Sequence, residues 1–248
     1  MYDLIELSNN YYIKHISNIN ELPSDIIDIK HMNLKKFFRR KSFIVKIDFK
    51  EIDRTEYKRI LKRLLRIKNV ISKFKIECGS FEKDKKVIAY TINYDNENKD
   101  NNDFILALNA IFQNTRYDRY NYIYDTVCDY LDGYFYGKNY CDFKNNKCGE
   151  KRNTSSTTGC CHHFKYKLLG PLSKFVLCEY LNSENYTCDA KCLPCKLFTC
   201  DYLEKKGIKF KIKDILLLDV FFNPIQKYFI KYMVFTPKEK IIKRLMIL

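Results

Sequence analysis

The sequence predicts an α+β fold in two parts: a small, basic, ferredoxin-like (βαββα) region over residues 1–115, and a mainly helical, cysteine-rich region over residues 116–248. Three observations predict it. Strand-period and helix-period runs follow one another in the first part in the order strand, helix, strand, strand, helix. Nine of the eleven cysteines fall within sixty residues, from Cys141 to Cys200. Basic charge is gathered into two stretches instead of being spread along the chain.

Residues 11–16 read as a strand and residues 26–38 as a short helix. In residues 42–49 (SFIVKIDF) Phe43, Val45, Ile47 and Phe49 alternate with Ile44, Lys46 and Asp48, the period of a half-buried strand. Asp53 or Thr55 then caps a helix on which Tyr57, Ile60, Leu64, Ile67 and Ile71 recur every three or four positions. Leu61 and Leu65 widen that stripe, and Arg54, Lys58, Arg59, Lys62, Arg63 and Arg66 occupy most of the remaining circumference. Residues 73–78 and 86–94 read as two strands joined through Gly79 and a polar turn. Residues 95–103 (DNENKDNND) are a polar break, and helix resumes over 104–112.

Residues 116–132 read as a helix ended by the segment from Gly133 to Lys138, and the cysteine field begins there. Beyond it Pro194 suits a first helical turn and Gly207 a helix end. Asn223-Pro224 opens a further helix, and Thr236-Pro237-Lys238-Glu239 reads as a capping box before the last one.

At 248 residues, with 46% hydrophobic and 15% aromatic content, the chain can bury real cores and is no disordered tail. Its N-terminus, MYDLIELSNNYYIKHI, carries acids where a secretory signal needs a basic region, and no apolar run follows. The longest nearly apolar run, residues 215–222, contains Asp219 and is far short of a membrane span. The expected compartment is therefore the cytoplasm, with no membrane partner. Disulfides seldom persist there, so the cysteines are expected to be metal ligands, redox groups or buried small hydrophobes.

A thiolate needs a compensating positive centre, which four sulfurs around zinc or an iron–sulfur cluster supply with closed geometry. Cys188-x-x-x-Cys192-x-x-Cys195, with Cys200 close behind, places sulfurs where short turns can aim them at one ion. Cys160, Cys161, His162 and His163 form a second dense group; neighbours cannot all ligate one ion, so one or two of them are expected to do so. Cys141, Cys148 and Cys178 complete the candidate ligands. Cys78 on a strand and Cys128 on a helix are expected to be core residues. The triad Cys188, Cys192 and Cys195 has the spacing of a radical-SAM motif, but only 53 residues follow it, too few for the barrel such enzymes place after it.

Seventeen Lys and Arg stand against four acids between Lys30 and Lys75, and eleven against three between Lys205 and Leu248. Such asymmetry suits a polyanion-facing surface or a solvated basic face. Lys35, Lys36, Arg39 and Arg40 around Phe37 and Phe38, with Arg59, Lys62, Arg63 and Arg66 on the helix, combine phosphate-binding cations with stackable aromatics. Nucleic acid is the first candidate partner and an acidic protein the second. Tyr117, Tyr120 and Tyr124 share a helical spacing more typical of core than of a stacking platform. No phosphate-binding glycine loop, nucleophile elbow or zinc-protease motif is present, so no reaction is named.

The order Cys141…Cys148-Gly149…Cys160-Cys161, then Cys178-Glu179-Tyr180-Leu181, Cys188 and Pro194-Cys195-Lys196-Leu197-Phe198 resembles a bacterial cysteine-cluster family associated with zinc or iron chelation. The resemblance covers residues 141–200. Gly149 lies eleven residues before the cysteine pair instead of beside it, and Leu193 stands where that family has arginine. It implies a chelated metal or cluster with Cys148, Cys160, Cys161, Cys178, Cys188 and Cys195 as ligands. The expected function is a metal-binding (zinc or iron–sulfur) module with nucleic-acid contact through its basic half. The alternative is a metal- or cluster-dependent enzyme that modifies a protein or RNA.

Overall fold

The computed structural model describes residues 4–8, 11–22, 26–28, 45–74, 80–82, 85–95, 97–142, 164–165, 175–176, 178, 180–182, 184–185, 188–189 and 191–248. It is a mixed α+β structure whose chain divides into two compact units, Met1–Arg119 and Tyr120–Leu248. Each has its own core.

The N-terminal unit is built on a mixed sheet of β1 (Leu4–Glu6), β2 (Tyr11–His15), β3 (Ile27–Asp28), β4 (Val45–Asp48), β5 (Ser80–Glu82) and β6 (Lys85–Ile92). The strand order is β1-β2-β6-β4-β3, with β5 also on β6. β6 is antiparallel to β5 and parallel to both β2 and β4, with Ile13 opposite Ala89 and Ile47 opposite Thr91. Val87, Ile88, Ala89 and Tyr90 are all buried. A central strand covered on both faces has no need of polar alternation, which is why Val87 to Ala89 run apolar without a break. The buried His15 ring lies 3.3 Å from the Thr91 hydroxyl, a pairing within the sheet.

Helix α1 (Arg54–Phe74) links β4 to the β5–β6 hairpin. Its first turn is held by Asp53, whose carboxylate accepts the Glu56 N–H at 2.7 Å. Tyr57, Ile60, Leu61, Leu64 and Ile67 are buried, as their spacing requires. Helix α2 (Lys99–Phe112) starts within the stretch expected to be a polar break. Asn98 accepts the N–H groups of Asp100 and Asn101, and Asn101 turns inward to accept the Tyr57 hydroxyl at 2.8 Å. The polar residues are the helix cap rather than a gap.

The strand expected over residues 73–78 is not formed at its first two positions. Lys73 and Phe74 are still helical, residues 75–79 lie outside those described, and the pairing strand is Ser80–Glu82. β4 and β6 are parallel and are joined through α1 and the β5–β6 hairpin, in the expected chain order. The sheet differs in its order, because β2 takes the other edge of β6, in parallel. The helix expected over residues 26–38 falls outside the described residues except at 26–28, where Ile27 and Asp28 form β3.

Helix α3 (Arg116–Phe135), most of which belongs to the C-terminal unit, begins with a reciprocal cap, Thr115 Oγ1 accepting the Asp118 N–H while an Asp118 carboxylate oxygen accepts the Thr115 N–H. Gly133 lies inside the helix instead of ending it. The stop comes at Gly137, whose φ of +68° is a left-handed conformation that glycine adopts without penalty. A short antiparallel pair, β7 (Phe164–Lys165) and β8 (Phe175–Val176), precedes five helices: α4 (Leu193–Leu197), α5 (Asp201–Lys205), α6 (Leu216–Phe221), α7 (Pro224–Tyr232) and α8 (Lys238–Ile247).

Asn223 and Gln226 form the capping box of α7, and the buried Gln226 amide also donates to the Tyr120 hydroxyl and the Leu245 carbonyl, tying α3, α7 and α8 together. The box expected at Thr236 is not made. Pro237 takes the cap position, and the Thr236 hydroxyl donates to the Val234 carbonyl. Among the described residues no helix is long and apolar enough to cross a membrane.

Candidate metal centre

Of the ten candidate ligands, the structure brings together Cys192 and Cys195. Cys192 occupies the cap position of α4, Pro194 lies in its first turn and Cys195 follows, so one turn carries both sulfurs to the same side. The Cys192 thiol sits below its ordinary range. The Cys195 side chain hydrogen-bonded to it is the largest cause, and the N–H groups of Cys195, Thr236 and Phe235 add to it, against the opposing effect of burial. The Phe235 N–H also donates to Cys195 Sγ at 3.2 Å. Phe235 has a φ of +55°, a left-handed conformation rare for a bulky residue, and it delivers that N–H. Cys192 is 4% exposed and Cys195 half-buried.

Helix α3 fixes the turn from behind. Tyr124 accepts the Leu193 N–H at 2.9 Å, and Cys128, fully buried as expected of a core residue, places its sulfur 3.6 Å from the Lys191 carbonyl. Burial pushes the Tyr124 phenol and the Cys128 thiol well above their ordinary ranges, so both are neutral. Asp129 pairs with Lys191 at 3.2 Å, Asp132 with the buried Lys196, and Asp125 with Lys238 at 2.7 Å. Lys196 also donates to the Cys188 carbonyl at 3.0 Å. This acidic stripe was legible at Asp125, Asp129 and Asp132, one helical face. Its partners lie sixty or more residues away, and no local pattern names them.

The other candidates are placed differently. Cys188 is half-buried and bridges Leu181, and Cys178 is buried one turn before that bridge. Cys200 is buried with Leu203 and Ile208, and Cys141 packs against the same apolar cluster beside Tyr134 and Tyr140. Cys148, Cys160, Cys161 and His162 lie outside the described residues, as does Cys78. Among the described residues no three His, Cys, Asp or Glu side chains are placed to share an ion. The N–H donors around the Cys192–Cys195 turn favour charged sulfur, the form in which cysteine ligates a metal.

Of the basic candidates, Arg59, Lys62 and Arg66 are exposed at successive turns of α1, Arg63 is half-buried, and Arg59 pairs with Glu56. Lys35, Lys36, Arg39 and Arg40 lie outside the described residues. Tyr120 and Tyr124 are core, whereas Tyr117 is 51% exposed.

No family model matches this chain, and no curated protein or solved structure matches it either.

Proposed function

We propose that the chain is a metal-binding module, zinc or iron–sulfur, in which the Cys192–Cys195 turn is the pre-shaped half of the site. The single observation that carries this reading is the pair of hydrogen-bonded thiols on one turn, surrounded by N–H donors and anchored to α3. Cys178, Cys188, Cys148, Cys160, Cys161 and His162 are the candidates for the remaining positions, with Cys141 and Cys200 less suited by their apolar packing. The cysteine-organised character of the helical unit, the ferredoxin-like kinship of the basic unit and nucleic-acid contact through Arg59, Lys62 and Arg66 belong to the same reading.

Anaerobic purification with elemental analysis and an absorbance spectrum tests it. Stoichiometric zinc in colourless protein, or iron and sulfide with a band near roughly 400 nm, is the expected result. The second spectrum favours cluster chemistry and thus an enzyme. The double variant Cys192→Ser/Cys195→Ser should lose the metal and melt lower, because in such sites binding free energy is folding free energy. Metal-free parent protein, or a double variant that keeps its metal, overturns the proposal.

A further inference from the structure

We propose that the outer face of α7 and α8 binds single-stranded nucleic acid, stacking bases on Tyr228 and Tyr232 and holding phosphates with Lys231, Lys243 and Arg244. None of these residues belongs to the cysteine turn or to the basic stripe of α1. On α7, Ile225, Tyr228 and Tyr232 are 59%, 62% and 53% exposed and recur at helical spacing, so the helix presents an aromatic stripe outward while Gln226 and Ile230 face the core. A single exposed aromatic needs no explanation, but an aligned group among cations does.

The two rings are neighbours, with centroids 4.6 Å apart and planes tilted by 46°. Being tilted, they are not stacked face to face, and both keep more than half of their surface exposed. Lys231 Nζ lies 5.0 Å from the Tyr232 centroid. From α8, Arg244 Nη1 approaches Met233 Sδ at 3.8 Å, which brings the guanidinium to the end of α7, one residue beyond Tyr232. Lys240 and Lys243 are exposed on the same helix. Asp219 is engaged by Lys227 at 2.6 Å, and with Glu239 the exposed acid on α8 the two helices stay net basic.

Rings flanked by cations match a strand of phosphates carrying unpaired bases, where stacking adds to a salt-dependent charge attraction. Charge disfavours a second copy of this chain, since two such faces would bring Lys231 and Arg244 against like charges. A lipid surface is disfavoured by chemistry: an interfacial helix needs a broad aliphatic face, and on α7 the exposed aliphatic side chain is Ile225 alone, with Ile247 and Leu248 exposed only at the far end of α8.

The test uses the full chain, a labelled oligothymidylate of about 16 nucleotides, heparin, and phosphatidylcholine–phosphatidylserine vesicles. Tyr228→Ala/Tyr232→Ala should weaken oligothymidylate binding about tenfold or more, by the strength of stacking on two rings, and leave heparin binding unchanged. Tyr228→Phe/Tyr232→Phe should bind like the parent, because stacking does not use the hydroxyl. Lys243→Glu/Arg244→Glu should weaken both polyanions and flatten the salt dependence. The same tyrosine effect should persist in an Arg59→Gln/Lys62→Gln/Arg66→Gln background. Oligothymidylate binding that is undiminished in a folded alanine variant overturns the proposal. So does a tyrosine effect confined to vesicles, or to self-association in sedimentation.

Discussion

The ammonium of Lys196 is shut away from water against the carboxylate of Asp132: 4% of the lysine side chain is exposed, against 27% of the aspartate. The ion pair joins the turn that carries Cys195 to α3. Removing one partner of such a pair leaves a buried charge unanswered, and the other partner's desolvation is no longer offset. Asp132→Ala should therefore destabilise the C-terminal unit by about 3 kcal/mol, the lower end of the usual range because the carboxylate is partly solvated. Lys196→Met/Asp132→Leu should lose less than Asp132→Ala alone. Urea unfolding of the full chain measures both, and an Asp132→Ala variant as stable as its parent would falsify the assignment.

A second prediction concerns alkaline pH in the N-terminal unit. Burial, helped by the nearby Arg119 charge, lowers Lys68 from its ordinary 10.5 to about 8. Burial first, with Asp100 and Asp53 adding to it, raises Tyr57 from 10.0 to about 12. Below about pH 8 Lys68 is protonated in both states, and its burial penalty is constant. Between about 8 and 10.5 the unfolded chain holds the proton that the folded one has released, so this group makes stability rise with pH. Tyr57 acts in the opposite sense: from 10.0 to about 12 the unfolded chain has lost a proton that the folded one keeps, and stability falls. Urea midpoints taken across this range should show the rise missing in Lys68→Met and part of the fall missing in Tyr57→Phe. Unchanged profiles in both variants count against the burial of these two groups.

A third prediction separates charge from structure on α1. Arg59, Lys62 and Arg66 are exposed and oppose the buried stripe, so replacing all three by Gln should leave the melting temperature almost unchanged. If they contact phosphates, the slope of log affinity for oligothymidylate against log salt should shrink by roughly 2–3. An unaltered slope removes α1 from the nucleic-acid surface.

Much of this was legible wherever the determining pattern is local. The α1 stripe is written in Tyr57, Ile60, Leu64 and Ile67, and the thiol turn in the spacing of Cys192 and Cys195. The start of α2 was hidden because Asn98 and Asn101, which cap and anchor it, look like solvated loop until their partners are known. The α8 cap misled in the other direction, since Thr236 and Glu239 have the right spacing but Pro237 takes the cap position. Pairings across long separations left no mark at all. Nothing near Tyr11–His15 says that the strand runs parallel to residues some seventy-five positions later, and nothing near Asp132 says that Lys196 will be its partner.

The position of β6 has a consequence for how the N-terminal unit comes together. β1 with β2 and β3 with β4 can each pair early, yet these two ladders share no strand until residues 85–92 arrive between them. Until β6 is in place the β1–β2 and β3–β4 pairs have open inner edges, and closure of the sheet waits on that single late segment.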